Sequence, residues 1–232
     1  MTTTLHRDIA LPTHDQLVRA LREAQADDNG GLGNHMWAVL VDRLGVVTAV
    51  AYSGETFGDQ WPGSRIIAAQ KANTANAFST DSSALSTANL YAGVQPGGML
   101  YGLQDTNPVN IHAAYDGDPH DYGTTRDFLI GRQIGGVIAF GGGLALYDAS
   151  GSIVGGLGVS GDYSCADHNI AWKVRHALEL DFVPATSDRA DDNIMYDIEN
   201  GKSKSGWGHA ECVKGTTKVS ESLTKQYPTR RR

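Results

Sequence analysis

Two short motifs read as mirror images: Cys165-Ala-Asp-His168 and His209-Ala-Glu-Cys212. Two thiolates and two imidazoles are the donor set of a tetrahedral zinc site. Cys165, His168, His209 and Cys212 therefore form a candidate metal centre. A disulfide between Cys165 and Cys212 competes with it, and two free thiols are the third possibility. The disulfide is the preferred reading, because a lone pair of cysteines more often pairs or stays idle than binds metal. It would fasten the segment up to residue 212 onto the start of a helix. It would also suit an oxidising compartment such as the periplasm better than a reducing cytoplasm.

His168 falls in the first turn of a helix, where the positive end of the dipole disfavours imidazolium. A neutral imidazole is what heme iron or zinc requires. His168, Trp172 and His176 follow at i, i+4 and i+8 and roughly share a face. The competing role for His168 is a hydrogen bond to a neighbouring loop. A second group lies on the polar stretch 104–127: His112, Tyr115, His120 and Tyr122, beside Asp116, Asp118 and Asp121. A loop bearing histidine and tyrosine can close over a flat ligand and ligate its iron. A solvated surface loop is an equal alternative, and the aspartates lack EF-hand spacing. Lys71 and Thr74 make a third group at i, i+3. Lys71, with Arg65, Arg126 or Arg132, could supply the cation for a propionate or a substrate carboxylate. Alternatively, Lys71 points into solvent.

Other chemistries fit poorly. Gly156-Leu157-Gly158-Val159-Ser160-Gly161 matches G-x-G-x-x-G formally, but a dinucleotide site needs a buried parallel strand before it. Here the preceding strand is the return arm of a hairpin, so the glycines read as close helix–strand packing. Ser160 has no assignable base. No G-x-S-x-G elbow, HExxH, P-loop or CxxC motif occurs.

The elements that must position these residues follow from period and punctuation. Thr13 with Gln16 is a capping box, and Leu17, Ala20, Leu21 and Ala24 repeat at helical spacing, which predicts a helix over 14–27. Residues 36–42 and 46–53 are apolar strands joined by Arg43-Leu44-Gly45. A helix is predicted over 65–78, with Ile66, Ile67, Ala69 and Ala77 inward, and a shorter one over 83–92. Strands are predicted at 136–140, 144–148 and 153–159, then a helix over 166–180. Residues 1–183 are read as one domain and 184–232 as a C-terminal arm without its own core. Strands joined by hairpins rather than helical crossovers indicate an α+β domain with an antiparallel sheet.

The 232 residues are 41% hydrophobic, enough for one domain with a core. The net charge of −7 argues against nucleic acid as a partner. No apolar run reaches membrane-spanning length. The first residues show no apolar leader segment, which points to the cytoplasm, or to the periplasm or outside if a leader had been removed.

Lys71–Phe78 (KANTANAF), Val94–Gln104 (VQPGGMLYGLQ), Phe140–Asp162 and Ala166–Trp172 (ADHNIAW) occur in that order. Together they resemble the GlcG/HbpS family of heme-binding proteins, and also the C-terminal domain of PduO corrinoid adenosyltransferases. The likeness runs from about Thr13 to Leu180. It implies a profilin-like fold, an antiparallel sheet of about five strands with helices on its faces. It also implies a homo-oligomer that binds heme or a related tetrapyrrole in storage, sensing or degradation. On this reading His168, His112, His120, Tyr115, Lys71, Thr74 and Arg126 are the residues for a heme site. The long 104–127 loop and the arm distinguish this chain from shorter relatives. They leave a second reading open, an enzyme acting on a small organic acid or aromatic compound in the same pocket.

Overall fold

The computed structural model describes residues 11–186 and 189–230. The opening residues 1–10, read above for a leader, lie outside them. Helix α1 (His14–Ala26) starts at the Thr13–Gln16 capping box and buries Leu17, Ala20, Leu21 and Ala24. Strands β1 (Trp37–Asp42) and β2 (Val47–Tyr52) form a hairpin. Helix α2 (Ser64–Ala77) follows, then three single-turn helices: α3 (Tyr91–Val94), α4 (Leu103–Thr106) and α5 (Ile111–Ala114). Strands β3 (Gly143–Tyr147) and β4 (Ile153–Ser160) form a second hairpin that leads into α6 (Ser164–Ala177). The arm contributes a small hairpin, β5 (Ile198–Glu199) and β6 (Lys202–Ser203), and helix α7 (Lys214–Gln226).

The main sheet is four-stranded and antiparallel, in the order β2-β1-β4-β3. Alternation along β1 sorts the core into two layers. Ala38 and Leu40 face α1 and α6 with Leu157 and Val159 of β4. Trp37, Val39 and Val41 face α2 with Ile66, Ala68 and Ala72. Gly156 and Gly158 of β4 lie directly beneath α2. A Cβ at either would fall well inside contact distance of a helix carbonyl, that of Ala72 or Ala68 respectively. The glycine-rich stretch is thus a track for close helix–sheet approach.

Three expectations are corrected. Residues 83–92 form turns rather than a helix, and only Tyr91–Val94 is helical. Polar side chains there bond the backbone locally: Ser79 Oγ accepts from Leu85 N–H at 3.0 Å and Asn89 Oδ1 from Ser86 N–H at 3.1 Å. Such bonds compete with helix formation. Residues 136–140 run beside α2 without a strand partner. Their backbone is satisfied by side chains, with Asn73 donating to Gly136 O, and Thr74 Oγ1 and Gln104 Oε1 accepting from Ile138 and Ala139 N–H. On α2, Ala77 is exposed and Ile67 half-buried, while Lys71 and Arg65 are buried.

The arm lies across α6. Leu223 of α7 enters the α1–α6 core, and Trp172 donates its indole N–H to Tyr227 O at 2.9 Å. A Cys165–Cys212 disulfide fastens the arm to the first turn of α6. Arg175 clamps the arm's Asp192 through two 2.7 Å hydrogen bonds, both side chains being buried.

Candidate functional site

Lys71, His168, His209 and the two cysteines gather where β4 ends and α6 begins, beneath the arm. Lys71 is fully buried on α2. Its ammonium donates to Asp167 Oδ2 at 2.6 Å and to Val159 O at 3.1 Å, and lies 4.8 Å from the Phe140 ring centre. Asp167 also accepts the Asp162 N–H at 2.9 Å. This pair joins α2, β4 and α6 across the domain. Gly142, with φ near +117°, leaves the room it needs, since a Cβ there would press on both partners. Burial pushes the Asp167 carboxyl up to about 6, although the Lys71 charge opposes the rise. Burial likewise lowers Lys71, against the pull of Asp167.

His168, one turn into α6, is also fully buried. Its Nε2 is 3.2 Å from both Asn193 Oδ1 and Ile194 N, and its Nδ1 has no partner. The arm therefore seals this imidazole from above. His209 sits close by on the arm. Its Nδ1–H donates to Ala210 O at 2.6 Å, its Nε2 accepts from Gly141 N–H at 3.2 Å, and the Tyr91 ring packs 4.5 Å away. The two sulfurs and a ring nitrogen of His209 form one cluster, to which the structure does not bring His168.

The remaining sequence candidates lie elsewhere. Arg65 of α2 grips Asp127 through two hydrogen bonds, at 2.9 and 2.5 Å, and donates to Ala114 O at 2.9 Å, with Tyr122 stacked on its guanidinium. That buried clamp orders the 104–127 loop, so Arg65 is occupied there. His112, Tyr115 and His120 are exposed on the loop. His120 is held by Asp118 at 2.8 Å, and exposed Arg126 pairs with Asp121 at 2.6 Å. Thr74 spends its hydroxyl on Gln70 O and Ile138 N–H. Sequence reasoning overlooked the buried clamps Arg65–Asp127 and Arg175–Asp192. A charged residue inside an otherwise apolar helix face was the signal available for each.

Both buried histidines carry a pH signature. Burial holds His168 down to about 3 and His209 to about 4, against 6.5 in the unfolded chain. Between pH 6.5 and about 4 the unfolded chain takes up protons at both histidines that the native state refuses. Stability therefore falls on acidification, by about 1.4 kcal/mol per pH unit for each histidine. Asp167 works in the opposite sense, because its raised carboxyl binds a proton in the native state that the unfolded state lacks. These three groups together contribute a slope near pH 5 of about 1.4 kcal/mol per pH unit. Urea midpoints measured across pH 4.5–7 check this, and His209→Gln should flatten the dependence. An unchanged slope in that variant would count against a neutral His209.

The antiparallel sheet, the helices on both faces and the stapled arm define an α+β domain whose charged interior is built from clamps. The chain belongs to the HbpS-like family: the family described as "Haem degrading protein HbpS-like" matches residues 10–175. Among solved structures, the chain is similar to the protein of a PduOC–heme complex. That likeness has 30% identity and a TM-score of 0.49, over 73% of this chain and 95% of that one. The Klebsiella pneumoniae protein ORFY, of family DUF336, is 22% identical with a TM-score of 0.49, over 76% and 97% of the two chains. HbpS is 23% identical with a TM-score of 0.46, over 75% and 91%. No curated protein is matched. Among the described residues no helix is long and apolar enough to cross a membrane.

Proposed function

We propose that this protein binds heme, or a closely related tetrapyrrole, on the surface of the 104–127 loop, where His112 would hold its iron. Membership of the HbpS-like family carries the heme reading. The local chemistry of one turn supports the position. Helix α5, capped by the Asn110 side chain, presents Ile111, His112 and Tyr115 together. Ile111 is 60% and Tyr115 69% exposed, and Met99 and Tyr101 are exposed on the segment before. Among the described residues no hydrogen bond holds the His112 ring.

A porphyrin needs an apolar platform and a neutral imidazole or phenolate for its iron. His112 with Ile111 and Tyr115 fits that requirement. His168 fits it less well, because Asn193 and Ile194 lie over its ring. Lys71 is spent on Asp167, so an organic acid beside it would have to displace a buried carboxylate. That weakens the reading of an enzyme acting on small acids. Bound heme would supply redox and ligand-exchange chemistry at its iron, while this chain would orient the ring and shield one face. The open position favours exchange of heme, as in storage or sensing, over enclosure for degradation. The exposed apolar side chains also suit a homo-oligomer, which sedimentation with and without hemin would test.

The deciding experiment is a hemin titration followed by absorbance. Stoichiometric saturation with a shifted Soret band is expected. His112→Ala should weaken binding at least about tenfold, equivalent to about 1.4 kcal/mol, and His168→Ala should leave it unchanged. Loss of binding in the His168 variant with the His112 variant intact would overturn the assignment. A featureless response of the parent protein would overturn heme binding itself.

A further inference from the structure

The disulfide and His209 form a group that heme binding does not use. The two sulfurs and a ring nitrogen of His209 lie within 4.8 Å of one another. Ligands of a tetrahedral zinc ion, at about 2.0–2.3 Å from the metal, need a cluster of about this size. His209 Nδ1 lies 4.0 Å from Cys165 Sγ and now donates to Ala210 O at 2.6 Å, so ligation through it would exchange that proton for the metal. Its Nε2 accepts the Gly141 N–H at 3.2 Å, with Ser164 Oγ at 3.5 Å. Cys212 Sγ accepts from the Cys165 N–H at 3.3 Å, in the first turn of the 14-residue helix α6, and lies 3.6 Å from Ser164 Oγ. Such surroundings stabilise a thiolate once the sulfur is free.

We propose that the Cys165–Cys212 disulfide gates a soft-metal site: when it is reduced, Cys165, Cys212 and His209 bind a zinc-type divalent cation, with a fourth position open beside Ser164. A small dithiol supplies the two electrons. Its first thiolate attacks Cys212, the less buried sulfur, which breaks the S–S bond and releases Cys165 as a thiolate that takes up a proton. The reagent's second thiolate attacks its own sulfur in the mixed disulfide, leaves as a cyclic disulfide and frees Cys212 as a thiolate that also takes up a proton. The cation then displaces a proton from each cysteine into solvent, and two thiolates neutralise its charge in a buried place. Two sulfurs and one imidazole favour zinc over hard cations. Three protein ligands also leave room for water or a substrate, as in catalytic rather than structural zinc sites.

The test uses cobalt(II) as the probe on the whole chain, reduced with a dithiol and then freed of reagent without oxygen. The reduced protein should develop thiolate-to-cobalt charge-transfer absorption that saturates at one ion per chain and is bleached by zinc. The oxidised protein should show none. His209→Gln should still form the disulfide, checked by mass, yet bind cobalt at least about tenfold more weakly. The proposal is overturned if the reduced protein shows no charge-transfer band, or if His209→Gln titrates like the parent. It is equally overturned if circular dichroism shows the reduced chain unfolding even with zinc present.

Discussion

Lys71→Met is expected to destabilise the protein by about 3–5 kcal/mol. The substitution leaves the Asp167 carboxyl buried with only the Asp162 N–H for company. Removing one member of a buried pair exposes the desolvation cost of the other, which exceeds the net worth of the pair itself. Asp167 would then be driven further towards its protonated form. Replacing both partners, as Lys71→Met with Asp167→Leu, should recover much of the loss, because an apolar pair of similar volume carries no desolvation debt. Chemical denaturation of the three variants measures the cycle. A Lys71 that served only a ligand would behave differently, with stability unchanged and hemin affinity reduced. That outcome would remove the structural role assigned here.

Gly158→Ala is the second large effect. Gly158 pairs with Val39 of β1 on one side and Gly143 of β3 on the other, so β4 is held on both edges. The added methyl would collide with the Ala68 carbonyl of α2. Neither partner can yield cheaply, since one is a central strand and the other a helix backbone. Overpacking of this kind costs about 1–3 kcal/mol where side chains can adjust, and more is expected where only backbone can move. The expected result is a loss of at least about 3 kcal/mol, or failure to fold, read from a denaturation midpoint or from soluble yield. Gly131→Ala is the contrast on space alone, because a Cβ there meets nothing within 4 Å, although its φ near +80° adds a modest strain. Equal behaviour of the two variants would refute the packing argument for Gly158.

The same glycines show what could be read in advance. Their alternation with Leu157 and Val159 marked close helix packing and argued against a dinucleotide loop, and β4 with its antiparallel partners bears this out. The capping box at Thr13 and the apolar spacing of α1 were equally legible, because local hydrogen bonds and periodicity act within a few residues. The single-turn helices and the 136–140 segment were not. The backbone groups of 136–140 are satisfied by side chains distant in sequence, such as Asn73 and Gln104.

Local pattern by itself therefore determined the α+β class, the hairpins, the major helices and the pool of ligand-type residues. Tertiary structure alone decided which members of that pool meet. It buried Lys71 against Asp167, 96 positions away. It spent Arg65 on ordering the long loop, sealed His168 beneath the arm, and gathered Cys165, Cys212 and His209 into one cluster. The reason is physical. Periodicity reports which face of an element is apolar, whereas the cost of burying a charge or a lone pair is met by whichever distant partner the fold brings within hydrogen-bond reach.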